Sequence, residues 1–202
     1  SILYSHTTVA SSTESLKVCY CTFNNCQGTI LDTDIPGASV DAITMESNIL
    51  ESCQAKTKMS MVINIQSKSN AINLVIKNHT IHNCAANNGN CKIINFDLDP
   101  SPESFEAILI EDNCISFDKS NDGRTGFWVT QSNREIIIRN CSFKYCHRFS
   151  SDPWSSSIIC YKFSKVLIES CYFDDCGIID GGNVLYIHSD VKECIVQNCR
   201  IC

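Results

Sequence analysis

Paired cysteines are the first residues in this chain with types and spacing suited to chemistry. "IIIRNCSFKYC" (136–146) places Cys141 five residues before Cys146, and "VLIESCYFDDC" (166–176) repeats the arrangement with Cys171 and Cys176. Such thiols could ligate zinc as a tetrahedral thiolate set, close disulfides, or exchange them. The chain holds 15 cysteines among 202 residues, an odd count. In a secreted protein that means bridges plus one remaining thiol, whereas in a reducing compartment all would stay thiols.

The carboxylates are the next candidates. Asp174 and Asp175 are adjacent, while Asp97 and Asp99 alternate along an extended segment and so share one side. Glycoside hydrolysis needs two carboxyl groups at a defined separation. Polysaccharide lyase chemistry needs calcium-binding carboxylates and a basic group near the abstracted proton. Asp97 and Asp99 have no evident basic companion in the sequence. There is no Gly-rich phosphate loop, nucleophile elbow or HExxH, and no cofactor is expected. The loop "CHRFSSDPW" gathers His147, Arg148 and Trp154 and is the best binding candidate; its plainer reading is a solvated loop with Trp154 packed on the flank.

Composition narrows the partners. A net charge of −6 without a basic patch argues against nucleic acid. Apolar runs such as "AILI" and "EIII" are far too short to insert in a bilayer. Two sequons, Asn78-His79-Thr80 and Asn140-Cys141-Ser142, offer N-glycosylation at Asn78 and Asn140 and point toward the secretory route.

The elements that position these groups follow from a repeat running the whole length. Aligned on Cys141, equivalent corner residues are Cys21, Asn48, His79, Asn113, Cys141, Cys171 and Cys199, spaced by 27, 31, 34, 28, 30 and 28 residues. Positions five before, three before and two after each corner make 21 slots, all apolar, where the 44% apolar composition would fill about nine. The residue just before each corner is Tyr, Ser, Asn, Asp, Asn, Ser or Asn, a turn position. Each unit is therefore a short strand, a tight corner and a second short strand, followed by a further β-rich piece such as "MSMVINIQ" or "NVLYIHS". Strands repeating at 27–34 residues with no helical stripe imply an all-β parallel solenoid of about seven rungs. All four prolines fall in connections between units, and no domain boundary interrupts residues 1–202. Neither end shows a capping helix, which suggests a segment of a longer solenoid or ends that dock on other chains.

Stacking changes the reading of the reactive residues. Cys141 and Cys146, taken as extended on either side of Phe143, would stand roughly 16 Å apart, too far for one metal or one bridge. Vertical neighbours would sit near the ~4.8 Å strand spacing. The slot five residues after the corner holds Cys26, Cys53, Cys84, Asp118, Cys146 and Cys176. Those cysteines suit rung-to-rung bridges or a reduced ladder of small packed side chains; the reduced ladder is preferred because three consecutive thiols cannot pair completely. The outward slot two before the corner holds Glu46, Lys77, Glu111, Arg139 and Glu169, alternating in sign up one face.

The phrase "I-x-N-C-x-F-x-x-C" resembles the "I-x-N-N-x-F-x-N" rung of pectin-lyase-like parallel β-helix proteins. "CGIIDGGNVLYI" is similar to the "GGA-I" segment of polymorphic outer membrane protein repeats, cysteine-rich forms of which occur in protist surface proteins. Here Asn183 and Val184 follow Gly181-Gly182, a departure from the strict motif. The resemblance implies a right-handed helix and a non-catalytic, adhesin-like structural element at the cell surface. The "NTD" and "G-H-G" companions expected of pectin-degrading relatives are missing. The expected partners are other protein chains, end to end or lateral. Two alternatives stay open: a polysaccharide-binding or polysaccharide-cleaving β-helix, and an intracellular filament or scaffold component with reduced cysteines.

Overall fold

An apolar residue at every second position over five residues makes a strand with one fully buried face, and a buried row on every strand forces the strands to stack. A computed structural model of the chain describes residues 3–4, 12–27, 31–32, 39–55, 61–67, 73–86, 91–98, 108–117, 124–130, 135–146, 158–176 and 184–202. Among them the fold is all β, with three parallel sheets of seven strands each and a short two-stranded pair. The chain visits the three sheets in rotation, which makes a parallel β-solenoid.

The first sheet runs Ser12–Cys19, Ser39–Glu46, Asn73–Lys77, Ile108–Glu111, Glu135–Arg139, Lys165–Glu169 and Glu193–Gln197. The second holds the three-residue strands that follow each corner, from Thr22–Asn24 to Tyr172–Asp174, and closes with Arg200–Ile201. The third collects the β-rich pieces, from Leu3–Tyr4 to Leu185–Ile187, and includes Cys91–Leu98 and Arg124–Thr130. The register follows the repeat: Ile136 pairs with Ile108 and Val166, and Phe143 with Ile115 and Phe173.

The core is a set of vertical rows. Met45, Ile76, Ile110, Ile138 and Ile168 form one, and Leu50, Ile81, Ile115, Phe143 and Phe173 another, all buried. The Phe143 and Phe173 rings stack with centroids 4.9 Å apart and planes 7° from parallel, matching the strand spacing. Each such side chain contributes about 1.5–3 kcal/mol by leaving water.

Left-handed residues make the corners. Tyr20, Ser47, Asn78, Asp112, Asn140, Ser170 and Asn198, one before each corner residue, all have φ between 53° and 58°. Asn and Asp tolerate this region best among non-glycine residues, which accounts for four of the seven. A second left-handed corner follows five residues on, at Asn25, Ser52, Asn83, Tyr145 and Asp175. Cys141 and Cys146 therefore do not flank one extended strand: Ser142–Lys144 lies between two bends, each followed by a cysteine. In the fourth turn Phe117 stands at the second bend without a positive φ and is buried, while Asp118 lies outside the described residues.

Ser170 is exposed and its amide donates to the Gln197 carbonyl, so replacements there isolate backbone cost. Ser170→Val should lower unfolding free energy by roughly 1–2 kcal/mol in urea denaturation while Ser170→Gly does not, because β-branched side chains resist the left-handed region. Equal stability of the two variants would contradict the corner geometry.

Candidate functional site

The corner row is the densest cluster of chemically capable side chains, and its partners are vertical. Asn48 Oδ1 accepts the Cys21 amide at 2.9 Å, and Asn48 Nδ2 donates to the Val18 carbonyl at 2.7 Å. One turn on, His79 Nδ1 accepts the Asn48 amide at 3.0 Å. Asn113 Oδ1 accepts the His79 amide at 3.0 Å and its Nδ2 donates to Ile76 at 3.1 Å. Cys141, Cys171 and Cys199 continue the pattern: each sulfur meets the backbone of the preceding corner residue. Each thiol has two acceptors within reach, the carbonyls of Arg139, Glu169 and Gln197 in its own turn at 3.3, 3.4 and 3.4 Å and those of Ile110, Ile138 and Ile168 one turn back at 3.8, 3.7 and 3.7 Å.

One requirement explains why three residue types share the slot. The corner leaves a buried amide that the strand ladder does not serve, at ~1–3 kcal/mol if unpaired. A side chain buried there to accept from it needs an acceptor for its own N–H or S–H, which a carbonyl of the preceding turn provides. The side chain one turn on must therefore accept once and donate once at short reach. Asn does so with its amide, neutral His with its two ring nitrogens, and Cys with its sulfur and S–H.

His79 meets the requirement incompletely. Because Nδ1 accepts the Asn48 amide, the proton sits on Nε2, and that nitrogen is buried without a hydrogen-bond partner. The Met45 carbonyl holds the position that Val18 and Ile76 hold elsewhere and lies close enough to favour the charged ring, but outside the geometry of a full hydrogen bond. With 1% of the residue exposed, burial holds the imidazole down to about 4 from an ordinary 6.5.

The thiol row Cys26, Cys53, Cys84 lies at the second corner. Cys53 and Cys84 are buried and donate to the Phe23 and Leu50 carbonyls of the preceding turn at 3.4 and 3.5 Å. Cys176 does the same to Phe143 at 3.3 Å above buried Cys146. Among the described residues no disulfide joins these cysteines. The neighbouring Cys84 thiol, when its S–H turns from the Leu50 carbonyl toward Cys53, outweighs burial and draws the Cys53 thiol down to about 6, yet Cys53 is 0% exposed. Burial pushes the Cys160 thiol well up. No group of three or more His, Cys, Asp or Glu side chains is arranged to hold a metal among the described residues.

Outside the core the charges also stack. Glu46 pairs with Lys77 at 3.2 Å, Glu111 with Arg139 at 2.6 Å, and Glu169 accepts from Gln197 at 2.7 Å. The Arg139 guanidinium is held further up by its hydrogen bond to Glu111. Sequence reading missed a parallel row in which Lys165 stands 3.8 Å from Glu135 and 4.0 Å from Glu193. The signal was the slot six before the corner. Asp174 and Asp175 do not act together: Asp174 pairs with Lys144 at 3.3 Å and Asp175 forms the left-handed bend. Asn78 and Asn140, the sequon residues, are exposed at first corners. His147, Arg148, Trp154 and Asp99 lie outside the described residues, as does the side chain of Asp97. No helix among the described residues is long and apolar enough to cross a membrane.

No protein-family model, curated protein or solved structure matches this chain.

Two measurements test the ladders. The folded-state pKa of His79 lies below its unfolded value, so its contribution is full above about pH 6.5 and is lost as pH falls toward about 4. Over that window the loss is on the order of 3 kcal/mol. His79→Asn, which matches Asn48 and Asn113, should remove that slope from the pH dependence of urea unfolding; an unchanged slope would place the titration elsewhere. Arg139→Glu would line three carboxylates in one row and should cost about 1 kcal/mol at low ionic strength, less in molar salt. A loss insensitive to salt would refute an electrostatic row.

Proposed function

We propose that this chain is a non-catalytic structural and interaction module, a stiff β-solenoid stretch of a cell-surface, adhesin-like protein. The observation that carries the reading is where the reactive side chains point. Cys53, Cys84, Cys141, Cys146, Cys171 and His79 are buried, and all but Cys146 make hydrogen bonds that reach the adjacent turn, while Cys146 bonds to Lys144 of its own turn. A residue engaged in this way supports the next turn and has no free group for a substrate. Seven strands at ~4.8 Å make a sheet roughly 34 Å tall, continuous enough to act as a rigid spacer.

The surface setting rests on the resemblance to cysteine-rich polymorphic outer membrane protein repeats and on the exposed sequon residues Asn78 and Asn140. A pectin-lyase-like right-handed winding agrees with the general handedness of parallel crossovers. A second reading, an intracellular scaffold, is favoured by the thiol rows, which the packing accommodates without bridges. Polysaccharide binding would fall to the loop of His147, Arg148 and Trp154.

Incubation of the purified chain with a panel of acidic polysaccharides should leave both their length and their unsaturated-end absorbance unchanged. Depolymerisation would overturn the non-catalytic reading. Non-reducing mass spectrometry of material from its native source then separates the settings: alkylated thiols at both Cys146 and Cys176 favour the reducing compartment, and a bridge between them the surface.

A further inference from the structure

The outward face of the first sheet carries a row that a solvent-facing strand does not need. Four residues before the corner stand Val75, Leu109, Ile137, Leu167 and Ile195, paired in register turn upon turn. All five are half-buried, on the opposite side of their strands from the core rows. Segments such as "EIIIR" and "KVLIE" thus read as continuous apolar runs, the pattern of strands covered on both faces.

Charged rows border the stripe on both sides. Two residues toward the corner lie Lys77, Glu111, Arg139 and Glu169; two residues the other way lie Glu135, Lys165 and Glu193. Within one strand the two borders have opposite signs: Glu135 with Arg139, and Lys165 with Glu169. A twofold axis parallel to the stack exchanges the borders while keeping every turn level with its equivalent. Arg139 then faces Glu135 of a second copy, Glu169 faces its Lys165, and the apolar stripe meets itself. Two copies have the same pitch, so the match holds over successive turns, which an unrelated surface would not ensure. An antiparallel neighbour would set each charged row against its own reversed copy, Lys77 against Glu169 in one register or Glu135 against Lys165 in another, and would make no use of the opposite signs across the stripe.

We propose that the first sheet is a homodimer interface, two solenoids lying side by side and parallel, with an apolar centre and a charged rim that sets register. The inference rests on the rod reading and names its lateral partner as a second copy of this chain. Sedimentation should show a concentration-dependent dimer. In an equimolar mixture of unlabelled and heavy-nitrogen-labelled chains, zero-length carbodiimide coupling should join Lys165 of one chain to Glu169 of the other. Within one chain these residues sit four apart on a strand, ~13 Å, beyond a zero-length link. Ile137→Lys combined with Leu167→Lys should weaken self-association by about tenfold or more with the unfolding transition retained. A monomer at every concentration, a dimer without that link, or coupling of Lys77 to Glu169 in its place overturns the arrangement. A monomer with an elongated scattering profile would refute the pairing alone; a compact profile would refute the rod reading as well.

Discussion

The structure depends on a buried amide. At every first corner the backbone bends through a left-handed residue, and the amide of the next residue turns inward, out of the strand ladder. Water does not reach it, so the turn above must supply an acceptor, and the same side chain must donate back to a buried carbonyl. A one-residue slip would orphan the amide and the side-chain donor and turn each core row outward. The corner row thus sets register polar bond by polar bond, while the apolar rows supply most of the burial energy.

This constraint accounts for the cysteines better than their reactivity does. A thiol is small and apolar enough for a closed core yet accepts and donates weakly, so it can stand where Asn stands. Its reach to the carbonyls one turn below is long, 3.7–3.8 Å, and the S–H is shared with a nearer carbonyl of its own turn at 3.3–3.4 Å. Asn makes shorter bonds of 2.7–3.1 Å and brings a larger polar group to bury. Cysteine predominates in the turns where Phe143 and Phe173 fill the neighbouring inner slot, which fits a trade of polar bond strength for apolar packing. His79 shows the limit of the substitution, since its ring satisfies the amide and leaves Nε2 alone.

Much of this was legible in the sequence because a repeat of identical function per turn leaves identical residue types per slot. The 21 inner positions, the corner row and the left-handed position before it could all be aligned without coordinates. The second bend was not recognised, although Asn25, Ser52, Asn83 and Asp175 are small and polar like the residues of the first bend and Tyr145 alone departs from them. Tyr145 conceals a turn because an aromatic residue usually marks a strand. Phe117 was missed as a core residue for the converse reason, since the fourth turn fills its thiol slot one residue early. The outward apolar row escaped notice because alternation was read only for the buried face. Val75, Leu109, Ile137, Leu167 and Ile195 fill the gaps in the core pattern and make each strand look merely hydrophobic.

A solenoid built this way separates its two tasks by slot. Inner and corner positions answer to the turns above and below, so a change there is felt by two neighbours and is constrained by both. Outward positions answer only to sideways pairs and to whatever lies against the sheet. Alternating charge satisfies the vertical pairs in either phase, since − + − and + − + are equally stable along one row. Stacking alone therefore does not dictate that Glu135 and Arg139, or Lys165 and Glu169, be opposite in sign across the stripe, because strand neighbours four apart do not touch. The opposed phases of the two rows carry information that the isolated fold does not use. A parallel twofold neighbour would use it, because only then do the two rows meet.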